Sequence, residues 1–208
     1  GSLPQVRVAY RTWGRPRPNA TLVCHALTGS ADADDWWADL FGSGRALDPD
    51  RDYIVCANVI GGCYGTTGPT SRAAGAFEPY GGSFPEVTIR DIVHVQALLL
   101  DRLGVETLDL AIGGSMGAMQ VLEWALLYPD RVDAIAPIAA GPTQSAWGIA
   151  LSEAQRQAIK ADTTFAGGRY PLGAGPAQGL AAARSVAMIS YRSAHNFDAR
   201  FGRTENHA

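Results

Sequence analysis

The sequence predicts an α/β fold, with a mostly parallel sheet and helices on both of its faces. Two observations carry this. Short apolar runs of strand type alternate with segments of helical period along the first two thirds of the 208 residues, and that alternation belongs to parallel sheets with crossover helices. One of those strands, Leu108 to Gly114, also runs through a glycine-serine-glycine turn straight into an amphipathic helix.

The elements follow in order. Val6, Val8 and Tyr10 alternate with polar residues and predict a half-exposed strand through Trp13, broken by Pro16, Pro18 and Asn19. Thr21 to His25 is a short buried strand, and Ala26 to Gly29 a turn. Trp36 and Trp37 fall in a polar, acidic connection beside Asp32, Asp34 and Asp35. Tyr53 to Val59 is a second buried strand, followed by a glycine-rich loop from Gly61 to Pro69. Thr88 opens a helix as N-cap, with Asp91 three residues on in capping-box position. Ile89, Ile92, Val93, Leu99, Leu100 and Leu103 share one face of it, and Gly104 stops it. The strand before Ser115, a helix from Met116 to about Tyr128 and a strand from Val132 to Ile138 complete a core over residues 1–142.

From Thr143 the pattern changes. Ser152 to Lys160 and Gly179 to Tyr191 are helix-forming, with a loose Gly-, Pro- and Ala-rich stretch between them and no strand after. Residues 143–208 are therefore expected to form a helical cap over the C-terminal edge of the sheet, where sites of such folds lie.

The turn at Gly113-Gly114-Ser115-Met116-Gly117 is a G-x-S-x-G motif in strand-turn-helix context. That is the nucleophile elbow, which lifts a serine hydroxyl clear of the sheet. Gly113 and Gly117 avoid collision with neighbouring backbone and tolerate unusual backbone angles. Ser115 then sits at the positive end of a helix dipole, where a developing oxyanion is favoured. An activated serine needs a base, an acid to orient that base, and oxyanion donors. The N–H of Met116, next after the nucleophile, is one donor, and the turn after His25, at Leu27 or Thr28, is placed for the second.

The base is not evident. The order along such chains is serine, acid, histidine. Only His195 and His207 follow Ser115, and neither follows a strand. His195 reads as helix end or loop, His207 as polar tail, His94 lies on a helix, and His25 ends a buried strand as a structural histidine. The chain is therefore expected to be incomplete. Its sheet would keep an open edge beside Val132 to Ile138, making the isolated chain poorly soluble or dimeric.

Composition excludes several classes. With 47% hydrophobic and 18% charged residues and a net charge of −3, there is no basic surplus for nucleic acid or anionic lipid. No apolar run is long enough to span a bilayer, and no signal peptide is expected before the first strand. The three cysteines, Cys24, Cys56 and Cys63, form no C-x-x-C pair, so neither a disulfide framework nor a metal site is signalled. A cytoplasmic setting fits.

Several stretches together carry a resemblance: Leu22–Gly29, Asn58–Pro69, Phe84–Asp91, Gly113–Gln120, Ser145–Ala150, Ala182–Ser193 and Arg200–Arg203. The chain resembles the homoserine O-acetyltransferase family of α/β-hydrolase-fold acyltransferases along essentially its whole length. The resemblance implies a ping-pong reaction: a serine takes an acetyl group from acetyl-CoA, then passes it to the hydroxyl of L-homoserine on the route to methionine. It implies Ser115 as nucleophile, Leu27 and Met116 as oxyanion donors, and Arg184 and Tyr191 as acceptor-binding residues. An arginine fork suits the acceptor's carboxylate. No bound cofactor is implied, acetyl-CoA being a co-substrate, and two copies would pair through the cap helices. The family's Asp and His come from a C-terminal segment with no counterpart here. A serine esterase, a homoserine or serine O-succinyltransferase, and a non-catalytic module remain as alternatives. Finding the acid and histidine in a downstream segment would dismiss the last.

Overall fold

The computed structural model describes residues 2–203 and divides into two compact units, residues 1–142 and 143–208. In the first, a five-stranded sheet has the order β1-β3-β2-β4-β5. Its strands are β1 (Tyr10–Trp13), β2 (Asn19–Cys24), β3 (Ile54–Ala57), β4 (Thr107–Gly114) and β5 (Ile135–Ile138). Only β1 runs antiparallel to its neighbour; β3, β2, β4 and β5 are parallel. Three helices accompany them: α1 (Ala33–Trp36), α2 (Ile89–Arg102) and α3 (Met116–Leu127).

Helix α2 begins as its sequence dictates. The Thr88 side chain accepts from the Asp91 N–H, and the Asp91 carboxylate accepts from the Thr88 N–H at 2.8 Å. Two of the helix's unpaired N-terminal donors are satisfied reciprocally. Gly104, at φ +72°, turns the chain out of the helix into β4.

The two faces of the sheet are covered differently. Val93, Ala97 and Leu100 of α2 and Val121 and Trp124 of α3 pack on Ala20, Leu22, Cys24, Val55, Leu108 and Ala111. The opposite face carries Val23, Ile54, Cys56 and Ile112. It is closed by α1 and the segment behind it, through Ala31, Ala33, Trp36, Trp37, Leu40, Phe41 and Leu47. The acidic connection of the sequence reading is thus a one-turn helix whose two tryptophans face the core. Arg11 pairs with Asp32 at 2.8 Å and the Trp13 indole donates to Asp34, holding the acidic side outward.

A bulge in β4 decides which residues face which layer. Ala20 pairs with Leu108 but Thr21 pairs with Leu110, so Asp109 is an extra residue. Leu108 therefore joins the α2/α3 layer and Leu110, two residues on, joins the opposite one.

Strand β1 is shorter than the alternation predicts, starting at Tyr10 rather than Val6. The N–H groups of Arg7 and Ala9 go to the buried hydroxyls of Thr67 and Thr66, in the glycine-rich loop, rather than to a strand ladder. At the other edge, β5 is bonded on one side by β4, and Ile135 and Ile138 are 39% and 45% exposed.

The second unit contains α4 (Ala146–Ala161), α5 (Ala177–Ser190) and α6 (Ala194–Phe201). Helices α4 and α5 pack together, and Asp162, just past α4, accepts from the Gly179 N–H of α5. Helix α6 corrects the reading of residues 193–197 as helix end or loop: the Ser193 side chain caps it by accepting from the Asn196 N–H. Among the described residues no helix is long and apolar enough to cross a membrane.

Candidate active site

Ser115 lies between β4 and α3 with φ 56° and ψ −119°, a conformation that L-residues rarely adopt. It is exposed, and its N–H donates to the carbonyl of Ile138 at 2.9 Å, which ties the turn to the end of β5. No capping bond engages its hydroxyl, although it occupies the N-cap of α3.

The flanking glycines are required for space and not for conformation, which corrects half of the sequence argument. Neither has a left-handed φ; the strain sits on Ser115 alone. A Cβ on Gly117 would lie 2.1 Å from the Cys24 carbonyl oxygen, and one on Gly113 would lie 2.6 Å from the Gly117 carbonyl carbon. The first turn of α3 therefore rests directly on the end of β2. That contact brings the elbow beside the turn that follows His25.

The N–H groups of Leu27 and Met116 have no intramolecular acceptor among the described residues, and each is held through the other end of its own peptide. A planar trans peptide points its N–H opposite to its C=O. The Ala26 carbonyl accepts from the Gly29 N–H at 2.9 Å and from His25 Nδ1 at 2.7 Å, which fixes the Leu27 N–H. The Ser115 carbonyl accepts from the N–H groups of Ala118 and Met119, which fixes that of Met116. Leu27 itself is 74% exposed.

His25 is structural. It is buried, its Nε2 accepts from the Val59 N–H at 3.1 Å, and Nδ1–H donates to Ala26. This is the neutral tautomer, and burial holds the ring below the ordinary imidazole range, partly offset by the bond to Ala26. His94 is exposed on α2 and pairs with the Tyr128 hydroxyl at 2.8 Å. His195 is exposed on α6, and His207 lies outside the described residues. No carboxylate or imidazole is bonded to Ser115 among the described residues.

Arg184 is exposed on α5, and Tyr191, the C-cap of the same helix, is 73% exposed. Cys24 and Cys56 are buried thiols whose ionisation burial pushes up, to about 12 for Cys24. Cys63 is exposed in the glycine-rich loop.

Two buried polar residues near the site carry no sequence motif. Gln96 on α2 and Gln120 on α3 are buried polar residues beneath the elbow, joined side chain to side chain at 2.8 Å. The available signal was a glutamine inside the apolar stripe of each helix.

Together, a mostly parallel sheet and a strained serine between strand and helix define the class. A family profile described as alpha/beta hydrolase fold matches residues 20–206, and the chain belongs to that family. Within it, the chain is 62% identical over 201 residues to the homoserine O-acetyltransferase of Nostoc punctiforme, covering 95% of this chain and 56% of that protein. It is 54% identical over 208 residues to the homoserine O-acetyltransferase of Chlorobaculum tepidum, covering 99% and 58%. Among solved structures, the homoserine O-acetyltransferase of Bacillus anthracis superposes with a TM-score of 0.88 at 23% identity, over 97% of this chain and 59% of that one. The acetyl esterase MekB superposes at 0.82 with 30% identity, over 95% and 56%. The chain spans a little over half the length of the curated relatives it matches.

Proposed function

We propose that this chain is the nucleophile-bearing part of an acyltransferase that moves an acetyl group from acetyl-CoA to the hydroxyl of L-homoserine through a seryl acyl-enzyme. The observation that carries this is the strained Ser115 beside two backbone N–H groups that have no acceptor among the described residues. In the first half-reaction the Ser115 Oγ attacks the thioester carbonyl, its proton passes to a base, and the carbonyl oxygen becomes an oxyanion. Met116 and Leu27 N–H groups stabilise that charge, and the tetrahedral intermediate collapses with release of the CoA thiol. In the second, the homoserine hydroxyl loses its proton to the base and attacks the acyl-serine, which returns Ser115 as free hydroxyl. By resemblance the base and its orienting acid come from the C-terminal segment of the family. The histidines of the described core support this, since His25 is fully engaged and His94 is paired.

Arg184 and Tyr191 are proposed to bind the acceptor, the arginine through the carboxylate that an amino acid presents. A cytoplasmic homodimer is proposed as the working form. Exposed apolar side chains on the helical unit, Trp147 at 74% and Ile189 at 61%, support pairing with a second copy. The structural likeness to an acetyl esterase favours a second reading, in which water replaces the amino-acid acceptor. The much higher identity to the acetyltransferases supports the first.

The test is made on the full-length protein. Brief exposure to acetyl-CoA should add one acetyl group to the peptide containing Ser115, and L-homoserine should discharge it faster than water does. Ser115→Ala should abolish the label. A label that persists in that variant, or one discharged equally by water, would reject the transferase reading.

A further inference from the structure

Gln120 and Gln96 sit where two helices should be apolar. They are 0% and 2% exposed, and the residues around them are Val93, Ala97, Leu100, Val121 and Trp124. A buried amide is costly unless its donors and acceptors are matched, and here they are matched in a chain. The Trp124 indole donates to Gln96 Oε1 at 2.8 Å, and Gln96 Nε2 donates to Gln120 Oε1 at 2.8 Å. Gln120 Nε2 then donates to two carbonyls, those of His25 and Met116, each at 3.2 Å.

The direction of this chain is fixed from both ends. An indole N–H can only donate and a backbone carbonyl can only accept. Gln96 must therefore turn its oxygen to Trp124 and its nitrogen to Gln120. Gln120 must in turn offer its NH2 to the carbonyls. Neither amide can flip without leaving like groups facing one another.

The two carbonyls belong to the two segments that carry the oxyanion donors. His25 opens the turn that presents the Leu27 N–H, and Met116 presents the other N–H itself. Gln120 reaches back 95 residues to His25 and four to Met116, so one side-chain amide spans both segments. We propose that Gln120 is a positioning residue of the oxyanion hole: its amide sets the separation of the Leu27 and Met116 donors, with Gln96 and Trp124 fixing its orientation. The proposal rests on the reading of Ser115 as an acyl-enzyme nucleophile. A donor pair aimed at a developing charge must be held before the charge forms, because reorganisation during reaction forfeits the gain.

The test uses Gln120→Met in the full-length protein, which keeps the length of the side chain and removes its donors. Val121→Ala, a truncation of a buried neighbour on the same helix, is the control for lost stability. Removing an oxyanion donor outright costs about 10²–10³ in rate, so letting one drift should slow acylation at saturating acetyl-CoA by about 10–100-fold. The KM for acetyl-CoA should change little, because the hole binds the transition state and not the ground state. Val121→Ala should lower the melting temperature while keeping acylation within about threefold of wild type, since it makes no contact with the reacting atoms. If wild type acylates Ser115 and Gln120→Met does so within that same margin, or loses affinity for acetyl-CoA in place of rate, the positioning role is overturned. If wild type forms no acyl-Ser115, the nucleophile reading fails and the role of Gln120 falls with it.

Discussion

The backbone of Ser115 can be tested apart from its chemistry, by comparing Ser115→Gly with Ser115→Ala. Both remove the hydroxyl, which is exposed and makes no capping bond, so that loss cancels between them. They differ in the Cβ that must sit at φ 56°, ψ −119°. A sparsely populated conformation of this kind costs about 1–3 kcal/mol for an L-residue, and glycine is free of it. Against this, glycine carries more conformational entropy in the unfolded chain, worth about 0.4–1 kcal/mol. The difference leaves Ser115→Gly more stable than Ser115→Ala by roughly 1 kcal/mol, a midpoint gain of about 2–4 °C for a chain of this length. The sign is the informative part, since an alanine-to-glycine change at a relaxed site destabilises. Thermal and urea unfolding of the two variants beside wild type is the assay. A glycine variant that unfolds at or before the alanine variant would refute the claim that the elbow stores strain.

Three further outcomes follow from the geometry. Gly117→Ala drives a Cβ into the Cys24 carbonyl and should cost about 3 kcal/mol or more, whereas Gly104→Ala meets open space and should cost only about 1–2 kcal/mol for its left-handed φ; equal losses in urea midpoints would contradict the close approach. His25 is neutral and held below its unfolded pKa, so the folded state binds fewer protons than the unfolded chain. Stability should be full above the ordinary imidazole pKa and decline as pH falls below it towards the folded value. Melting temperatures of wild type and His25→Asn across that range check this: the decline should be shallower in the variant, and an unchanged slope would assign it to other groups. Arg184→Ala should raise the KM for homoserine about tenfold or more while leaving acylation by acetyl-CoA near wild type, since one charge-assisted bond is worth about 1.5–3 kcal/mol. Equal loss in both half-reactions, measured by burst kinetics, would place Arg184 outside acceptor binding.

Local signals were legible in the sequence because their partners lie within a few residues. The Thr88–Asp91 capping box, the Gly104 stop and the strand-Ser115-helix elbow each need only neighbours three or four positions away. The Ser193 cap of α6 is just as local, yet residues 193–197 read in the sequence as helix end or loop and only the structure shows the helix start. The role of the elbow glycines was half legible: their size could be read, but the obstacle, the carbonyl of Cys24, stands 93 residues away from Gly117 in sequence. Tertiary structure alone decided the rest. Alternation would put Leu108 and Leu110 on one face, and only the pairing of β4 with β2 reveals the Asp109 bulge that separates them. Gln96 and Gln120 look like flaws in two apolar stripes until α2 and α3 are packed, when their amides find each other, Trp124 and the carbonyls of His25 and Met116. The sequence by itself determined which backbone shapes form, because propensity and capping act over a single turn. Which buried polar groups are tolerated depended on partners that only the folded chain brings within hydrogen-bond reach.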